Sequence, residues 1–537
     1  VKKATSRYEV SASRYFDRAF TSNNPGLRAY FQRVVAGQSE VYDTPFAKGE
    51  STKQMLGEWK SVLESINNKW PSLFEFEMDL ANKVGPMSIM KPLSERMKDI
   101  DSYYDGILLP SKPVDDRAVT NVIHEFARLG GLRIRSANNT WRYMKKNTNS
   151  GSPFFKKRDS VIGGTLPGYV FTSGPEVVQQ LRDVPWRAAA VLGWRGQEGG
   201  EDVDDVKQRV VWMFPLMVNI EELRCYQPFI ESAQRFNLVP AWVSMESVDE
   251  RITAMFDSKA SDDLVVCTDF SKFDQHFNPE LQNVAETVLR SLLTPQGATG
   301  WLRDVFPIKY MIPLAYDFGK VRFGPHGMGS GSGGTNCDET LAHRALQYEA
   351  ALSCGATLNP NSQCLGDDGV LTYPGITVED VVKAYTSHGL EMNRDKQYAS
   401  TQDCVYLRRW HHNAYRVGGV CVGVYSTCRA LGRLRYLERY QNPKFWGPKA
   451  VALRQLSIIE NCKWHPLREE FAQFCMKRDK YRLGIDIPDF LSNIRNEALE
   501  INDHMQDFLG YTKSLQTDDP VGGIENWWIV QYLRSQR

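Results

Sequence analysis

Two adjacent carboxylates bracketed by glycines, Gly366-Asp367-Asp368-Gly369, are the residues of this sequence best suited to chemistry. Short apolar stretches flank them, so the tetrapeptide reads as a hairpin turn that lifts both acids to one tip. Neighbouring like charges are stabilised by divalent cations, and oxygen-only donors suit Mg²⁺ or Mn²⁺. Asp-Gly also occurs in ordinary surface turns, so the turn alone decides nothing. A second acid adds to it. Leu264-Val-Val-Cys-Thr has the composition of a buried strand and ends on Asp269, with Asp274 five residues further on. A charge at the end of such a strand is costly unless it is paired or binds metal.

Other elements carry basic or anion-binding character. Lys207 and Arg209 alternate on one face of a strand that continues as Val-Val-Trp-Met-Phe. They could hold a triphosphate or simply protect a sheet edge. Residues 192–200, just before, read as a flexible glycine loop. Residues 327–340 form a Gly/Ser loop leading into a helix, with Thr335 and Asp338 as a capping box and Leu341, Ala345, Tyr348 and Leu352 along one face. Such a loop offers backbone N–H groups to an anion. Its Gly329-x-Gly331-x-x-Gly334 spacing matches a dinucleotide fingerprint, but no βαβ unit and no P-loop lysine accompany it. Asn278 and Pro279 start a helix with Leu281, Val284, Val288 and Leu292 as its stripe. Thr377 starts another that Gly389 closes. Residues 404–410 read as one strand with a basic end.

Arg142, Lys145, Lys146, Lys156, Lys157 and Arg158 surround a turn containing Ser150, Gly151 and Pro153. This is either a solvated loop or a seat for phosphates and bases. Arg429/Arg433 and Arg435/Arg439 stripe a helix, solvated beside Glu438 or basic by design. Residues 1–110 are mostly helical in pattern, although Phe74 to Leu80 alternates, and suit a packing or wrapping role. The tail, 518–537, reads as an arm with Trp527-Trp528 as anchor.

Bulk properties exclude several classes. The net charge of +1 gives no whole-molecule attraction for polyanions, so any such site must be local. No run of about 18 apolar residues suggests a membrane span, and no apolar leader is visible at the N-terminus. Ten cysteines without a Cys-x-x-Cys pair indicate reduced thiols, neither a disulfide framework nor a zinc site.

A strand with Lys and Arg, a strand ending in Asp-x-x-x-x-Asp, a Ser-Gly loop before a helix, and an Asp-Asp hairpin follow one another in the chain. This order resembles the viral RNA-dependent RNA polymerases, closest to the picobirnavirus and partitivirus group of double-stranded RNA viruses. Lys207-Gln-Arg209 resembles the fingers motif, Asp269-Phe-Ser-Lys-Phe-Asp274 the first palm motif, Ser330-Gly331-Ser-Gly-Gly-Thr335 the second and Gly366-Asp367-Asp368 the third. Asn393 to Lys396 is similar to the fourth, and Tyr406-Leu-Arg408-Arg409 to the primer-grip strand. Ser150-Gly151-Ser-Pro153 is similar to the motif that admits template. One position departs: where relatives place Asn or Asp, this sequence has Glu339, with Asn336 and Asp338 nearby.

The resemblance implies a mixed α+β right-hand fold of fingers, palm and thumb. An antiparallel palm sheet would be flanked by helices, and the thumb would be mainly helical. Residues 1–75 would wrap or bridge, 76–260 form fingers, 261–280 palm, 281–325 a fingers insert, 326–415 palm, and 416–537 the thumb with its tail. It implies template-directed RNA synthesis with Mg²⁺ or Mn²⁺ held by Asp269, Asp367 and Asp368, with Asp368 assisting. Lys396 would be a general acid. Lys207 and Arg209 would grip the triphosphate. Asp274, Ser330, Gly331, Thr335 and Asn336 would contact the nucleotide and its ribose. Ser150, Gly151, Pro153, Lys156, Lys157, Arg158, Arg408 and Arg409 would meet RNA. Trp527-Trp528 would enter the product cavity and stack on the first nucleotide. The partners implied are single- and double-stranded RNA, NTPs and a viral capsid protein. No membrane is expected, and the protein would be a monomer in the virion interior or host cytoplasm. Two alternatives stand beside this: a reverse transcriptase, and an inactive polymerase-like RNA-binding virion protein.

Overall fold

The structure is a computed structural model that describes residues 8–11, 18–20, 25–502, 504 and 519–536. Helices and sheets are mixed throughout, an α+β arrangement. Apolar side chains gather into two main cores. The larger collects the helices Leu216–Arg235, Pro279–Leu292 and Thr335–Ser353. The second is C-terminal and helical, built on Pro448–Glu460 and Arg468–Met476, and it also takes Trp59, Leu63 and Leu73 from the N-terminal region.

Helix Thr335–Ser353 runs through the larger core and is buried on most faces, including polar Asp338, His343, Arg344 and Gln347. The stripe expected along it is therefore only one of several buried faces. Arg344 is satisfied there by Glu125, which accepts from Nε and Nη2 at 3.0 and 2.7 Å. The capping box expected at its start does not form. Gly334 is the cap, and Asp338 turns inward to Lys309 at 3.0 Å, Tyr226 and Tyr310.

A five-stranded sheet has the order Tyr8–Ser11, Lys320–Phe323, Leu314–Asp317, Ala190–Gln197, Lys207–Met213. Most of the stretch expected as a flexible loop, 192–200, is thus an internal strand. Its Gly196 permits close packing: a Cβ there would lie 1.8 Å from the Met87 carbonyl oxygen. The alternating segment 74–80 belongs to helix Pro71–Ala81, where Leu73, Glu77 and Ala81 are buried at a spacing of four. Residues 404–410 form two strands, Asp403–Tyr406 and Arg409–His412, because Leu407 and Arg408 take left-handed φ values of +53° and +60° and turn the chain back. The tail is also corrected. Trp527 is buried in the C-terminal core with its indole donating to Gly522 O at 2.9 Å, and helix Trp528–Ser535 docks through Ile529, Val530 and Leu533. Residues 518 and 537 of that arm lie outside the described residues.

The N-terminal region reaches both cores. Phe20, Leu27 and Phe31 pack on Ala189, Val191, Ala315 and Phe323 at the five-stranded sheet. Tyr42–Asp43 then pairs antiparallel with Tyr436–Leu437, and Phe46 enters the C-terminal core. All ten cysteines are free thiols, and nine are buried.

One buried pair makes stability depend on pH. His388 donates through Nδ1 to Lys112 O at 2.7 Å and through Nε2 to Glu349. Both ring nitrogens face acceptors, so the imidazolium is favoured. Burial pulls the pKa down, but the Glu349 and Lys112 hydrogen bonds outweigh it and raise it above 6.5. A raised folded-state value gives stability that is full below 6.5 and is lost as pH rises through that value. His388→Gln should therefore flatten the fall in unfolding free energy across this window. An unchanged slope in denaturant titrations from acid to mildly alkaline pH would refute the assignment.

Candidate active site

The acids meet on a four-stranded antiparallel sheet with the order Gln363–Leu365, Asp368–Leu371, Val265–Thr268, Tyr398–Ser400. Val265–Thr268 is wholly buried, as its composition requires, and releases the chain at exposed Asp269. Gly369 lies opposite Thr268, so one further step of the register brings Asp269 opposite Asp368. Gly366 makes the hairpin turn with φ +57°. Helix Thr335–Ser353 holds that turn from beneath: Gly366 N donates to Thr340 Oγ1 at 2.9 Å, and His343 Nδ1 donates to Gly366 O at 2.8 Å. Burial drives the His343 pKa down to about 4, so this imidazole is a neutral strut. Asp269 is fixed through its backbone by the Gln397 side chain, which accepts from its N–H at 2.7 Å and donates to its carbonyl at 2.9 Å.

The three carboxylates differ in their surroundings. Asp367 stands exposed at the turn, yet the protein around it raises its pKa by burial, then by repulsion from Asp274 and Asp269 against attraction from Arg209. Asp368 is pushed up to about 7 by burial and by Asp367. One of its oxygens accepts from Leu407 N at 2.8 Å, which ties the acid turn to the 407–408 corner. Glu339 is buried on the helix below. Burial raises its pKa well above the usual range, and repulsion and a hydrogen bond from Asp274 push it further. Its Oε2 lacks a hydrogen-bond partner.

Cations face these acids. Burial lowers the Lys207 pKa, helped by repulsion from Lys83 and Lys396 and opposed by Asp269. Arg408 is lowered to about 10 by burial and by Arg429, with Arg209 and Arg433 adding and Glu198 opposing. The arginine stripe on helix Thr427–Arg435 thus turns inward, and Arg429 pairs with Glu198 at 2.6 Å. Glu438 pairs with Arg195 instead, at 3.0 Å.

The profile of the viral RNA-dependent RNA polymerase family matches residues 193–417. A human picobirnavirus protein named potential RNA-dependent RNA polymerase is 61% identical over 531 residues, 98% of this chain and 99% of the relative. The chain belongs to the viral RNA-dependent RNA polymerases. Its fold is accordingly the right hand. The crystal structure of the RNA-dependent RNA polymerase of a human picobirnavirus superposes with a TM-score of 0.94 at 61% identity, covering 98% of this chain and 99% of that one. An insertion-loop deletion mutant of such a polymerase gives 0.92 at 59%, with the same coverage.

Not every expected site residue of this polymerase faces the cleft. Ser330 Oγ accepts from Trp212 N at 3.2 Å, and Thr335 Oγ1 donates to backbone carbonyls of its own loop, Gly329 O among them at 3.2 Å. Gly331 is a packing glycine whose Cβ would lie 1.7 Å from Trp212 O. Asn336 differs from these: it is exposed, its side-chain oxygen accepts from the Trp242 indole at 2.7 Å, and its amide nitrogen lies beside the acid turn, 3.9 Å from where a Cβ on Gly366 would stand. The loop's N–H groups are not an open anion cradle, since Gly333 N donates to Glu222 at 3.1 Å.

The expected RNA set divides. Ser150, Gly151 and Pro153 are buried, a structural turn rather than a contact surface: Leu216 N donates to Ser150 O at 2.8 Å, and Gly151 abuts Phe214. Arg409 is also removed from it, because its guanidinium forms a buried two-pronged pair with Asp249 at 2.7 and 3.0 Å. Arg158 is half-buried and donates to Asn219 at 3.1 Å. Lys156, Lys157 and Lys396 are exposed. The sequence alone points to Glu339 only as a departure from relatives, and it does not single out Gln397 or His343 at all. The available signals were that Gln397 adjoins Lys396 and that Glu339 lies one helical turn after Thr335.

Proposed function

We propose that this polymerase copies an RNA template by joining NTPs to the 3′-OH of a growing strand, and so transcribes and replicates a viral RNA genome within the virion or host cytoplasm. The single observation that carries the mechanism is the convergence of Asp269 with Asp367 and Asp368, about a hundred residues later in the chain, at one end of the two central strands of one sheet, beside Lys207 and Arg209.

The donor set fits divalent metal. It offers carboxylate oxygens alone, and Asp367 is destabilised by its acidic neighbours, a strain that a dication relieves. Among the described residues, no three acid, histidine or cysteine side chains already stand in ligating geometry. Asp269 and Asp367 would hold Mg²⁺ or Mn²⁺, with Asp368 in support through its tie to Leu407. Such ions make the 3′-hydroxyl a better nucleophile and offset charge on the departing pyrophosphate. The chain's own work is positioning and charge. Lys207 and Arg209 grip the triphosphate, Lys396 stands exposed near Lys207 as a proton source, and Lys156 and Lys157 meet the RNA backbone.

Ribose selection falls to Asp274, which accepts from the 2′-OH, with exposed Asn336 and buried Glu339 close by at the acid turn. The test is extension of a defined RNA template–primer with four NTPs and Mg²⁺. Labelled product made from NTPs, and little from dNTPs, is expected. No product, or a preference for dNTPs, overturns the reading. Asp274→Ala should erode the preference for NTPs by about 10–100-fold. An unchanged ratio would remove Asp274 from this role.

A further inference from the structure

Helix Leu216–Arg235 buries three polar residues, Asn219, Glu221 and Glu222, of which Asn219 and Glu222, one turn apart, are 5% and 0% exposed. Their partners come from both sides of the helix. The Asn219 amide donates to Gly331 O at 3.2 Å and to Glu222 Oε1 at 3.1 Å, and its oxygen accepts from Arg158 at 3.1 Å. Glu222 accepts from Ser332 Oγ and from Gly333 N at 3.1 Å. Arg158 follows directly on Lys156 and Lys157, whose side chains are exposed, and its other guanidinium nitrogen donates to Lys145 O at 3.2 Å.

The Ser-Gly loop also lies flush on this helix. A Cβ on Gly333 would meet Leu223 at 2.9 Å, and one on Gly334 would meet the Tyr226 ring at 2.3 Å. Surface contact of this kind limits approach but fixes no register. Hydrogen bonds to Gly331, Ser332 and Gly333 do fix it. A buried carboxylate and amide are costly unless every donor and acceptor is used, so their retention calls for an explanation beyond packing.

We infer that Asn219 and Glu222 are positioning residues of the polymerase that set the Ser-Gly loop against the palm acids and link it, through Arg158, to the basic loop at 145–158. Neither touches nucleotide or RNA. Occupation of the exposed lysines by an RNA backbone pulls on Arg158, and Asn219 transmits that pull to Gly331. The inference rests on the polymerase reading above.

Steady-state primer extension with the full chain tests it, comparing wild type with Asn219→Ala, Ser332→Ala, Arg158→Ala and the Arg158→Ala/Asn219→Ala double variant. Loss of one or two buried hydrogen bonds should raise the NTP KM of Asn219→Ala roughly tenfold. The double variant should be no worse than Asn219→Ala alone, because one path is cut twice. Independent, multiplying effects overturn the link to the basic loop. Ser332→Ala leaves the helix core intact, so it decides the matter should Asn219→Ala fail to fold. Its NTP KM should rise at a temperature where the variant is still fully folded, although loss of the bond to Glu222 lowers its melting temperature somewhat, and an unchanged KM overturns the positioning role. A wild-type protein that extends no primer refutes the polymerase reading itself, whereas active variants with wild-type KM refute only this inference.

Discussion

Asp367→Asn should lower nucleotide incorporation by at least about a thousandfold while the protein stays folded. The substitution keeps size and removes the charge. In the resting protein that charge is opposed by burial and by Asp274 and Asp269, so its loss relieves repulsion. A melting temperature equal to or above the wild-type value is expected together with the lost activity, the signature of a group kept for chemistry at the expense of stability. Asp368→Asn should behave differently. An asparagine oxygen can still accept from Leu407 N, so the 407–408 corner survives and a smaller loss, of about 10–100-fold, is expected. Single-nucleotide extension rates, with melting curves on the same preparations, check both. Comparable losses at the two positions would contradict the division of labour, and near-wild-type extension by Asp367→Asn would sink the catalytic assignment.

Glu77→Ala should cost about 3–5 kcal/mol of stability, a large effect for a residue far from the chemistry. Glu77 is fully buried on helix Pro71–Ala81 and faces the start of helix Thr427–Arg435. It accepts from Thr427 N at 3.1 Å, Cys428 N at 3.3 Å and His465 Nε2 at 3.1 Å, and from the hydroxyls of Ser426 and Thr427. The first two are helix-start donors, which favour a negative charge. Burial pushes the Glu77 pKa up, but these bonds, led by His465, bring it below 4.5. The contribution is therefore present above pH 4.5 and fades as pH falls through the folded-state value. Removing the carboxylate strands all five donors in a dry site. Denaturant unfolding at neutral pH measures the loss, and a change under about 1 kcal/mol would refute the argument.

Much of the frame that brings the acids together was legible because its residues obey local rules. A buried apolar strand ending in acid, an Asp-Asp pair between glycines, and Asn-Pro at a helix start each have one economical backbone solution. What the sequence concealed depends on contacts remote along the chain. The basic residue of a Tyr-Leu-Arg-Arg run gives no hint that Asp249, 160 positions earlier, will neutralise Arg409 but not Arg408. Ser330 and Thr335 look like ligand-binding hydroxyls until Trp212 and the loop's own carbonyls are seen to use them. Gly193 and Gly196 suggested flexibility, yet both sit in a strand, and Gly196 lets it pass close under the Met87 backbone. Asn336, Asp338 and Glu339 are alike on paper, and only helical phase sends one to an indole, one to a buried lysine and one to the acids Asp274 and Asp367.

The N-terminal segment that is sewn to the five-stranded sheet at one end and to strand Tyr436–Leu437 at the other has a mechanical consequence. It acts as a stay of fixed length between two walls. Widening the gap between them requires peeling a two-residue ladder and withdrawing Phe46 from its socket, so the molecule resists gaping.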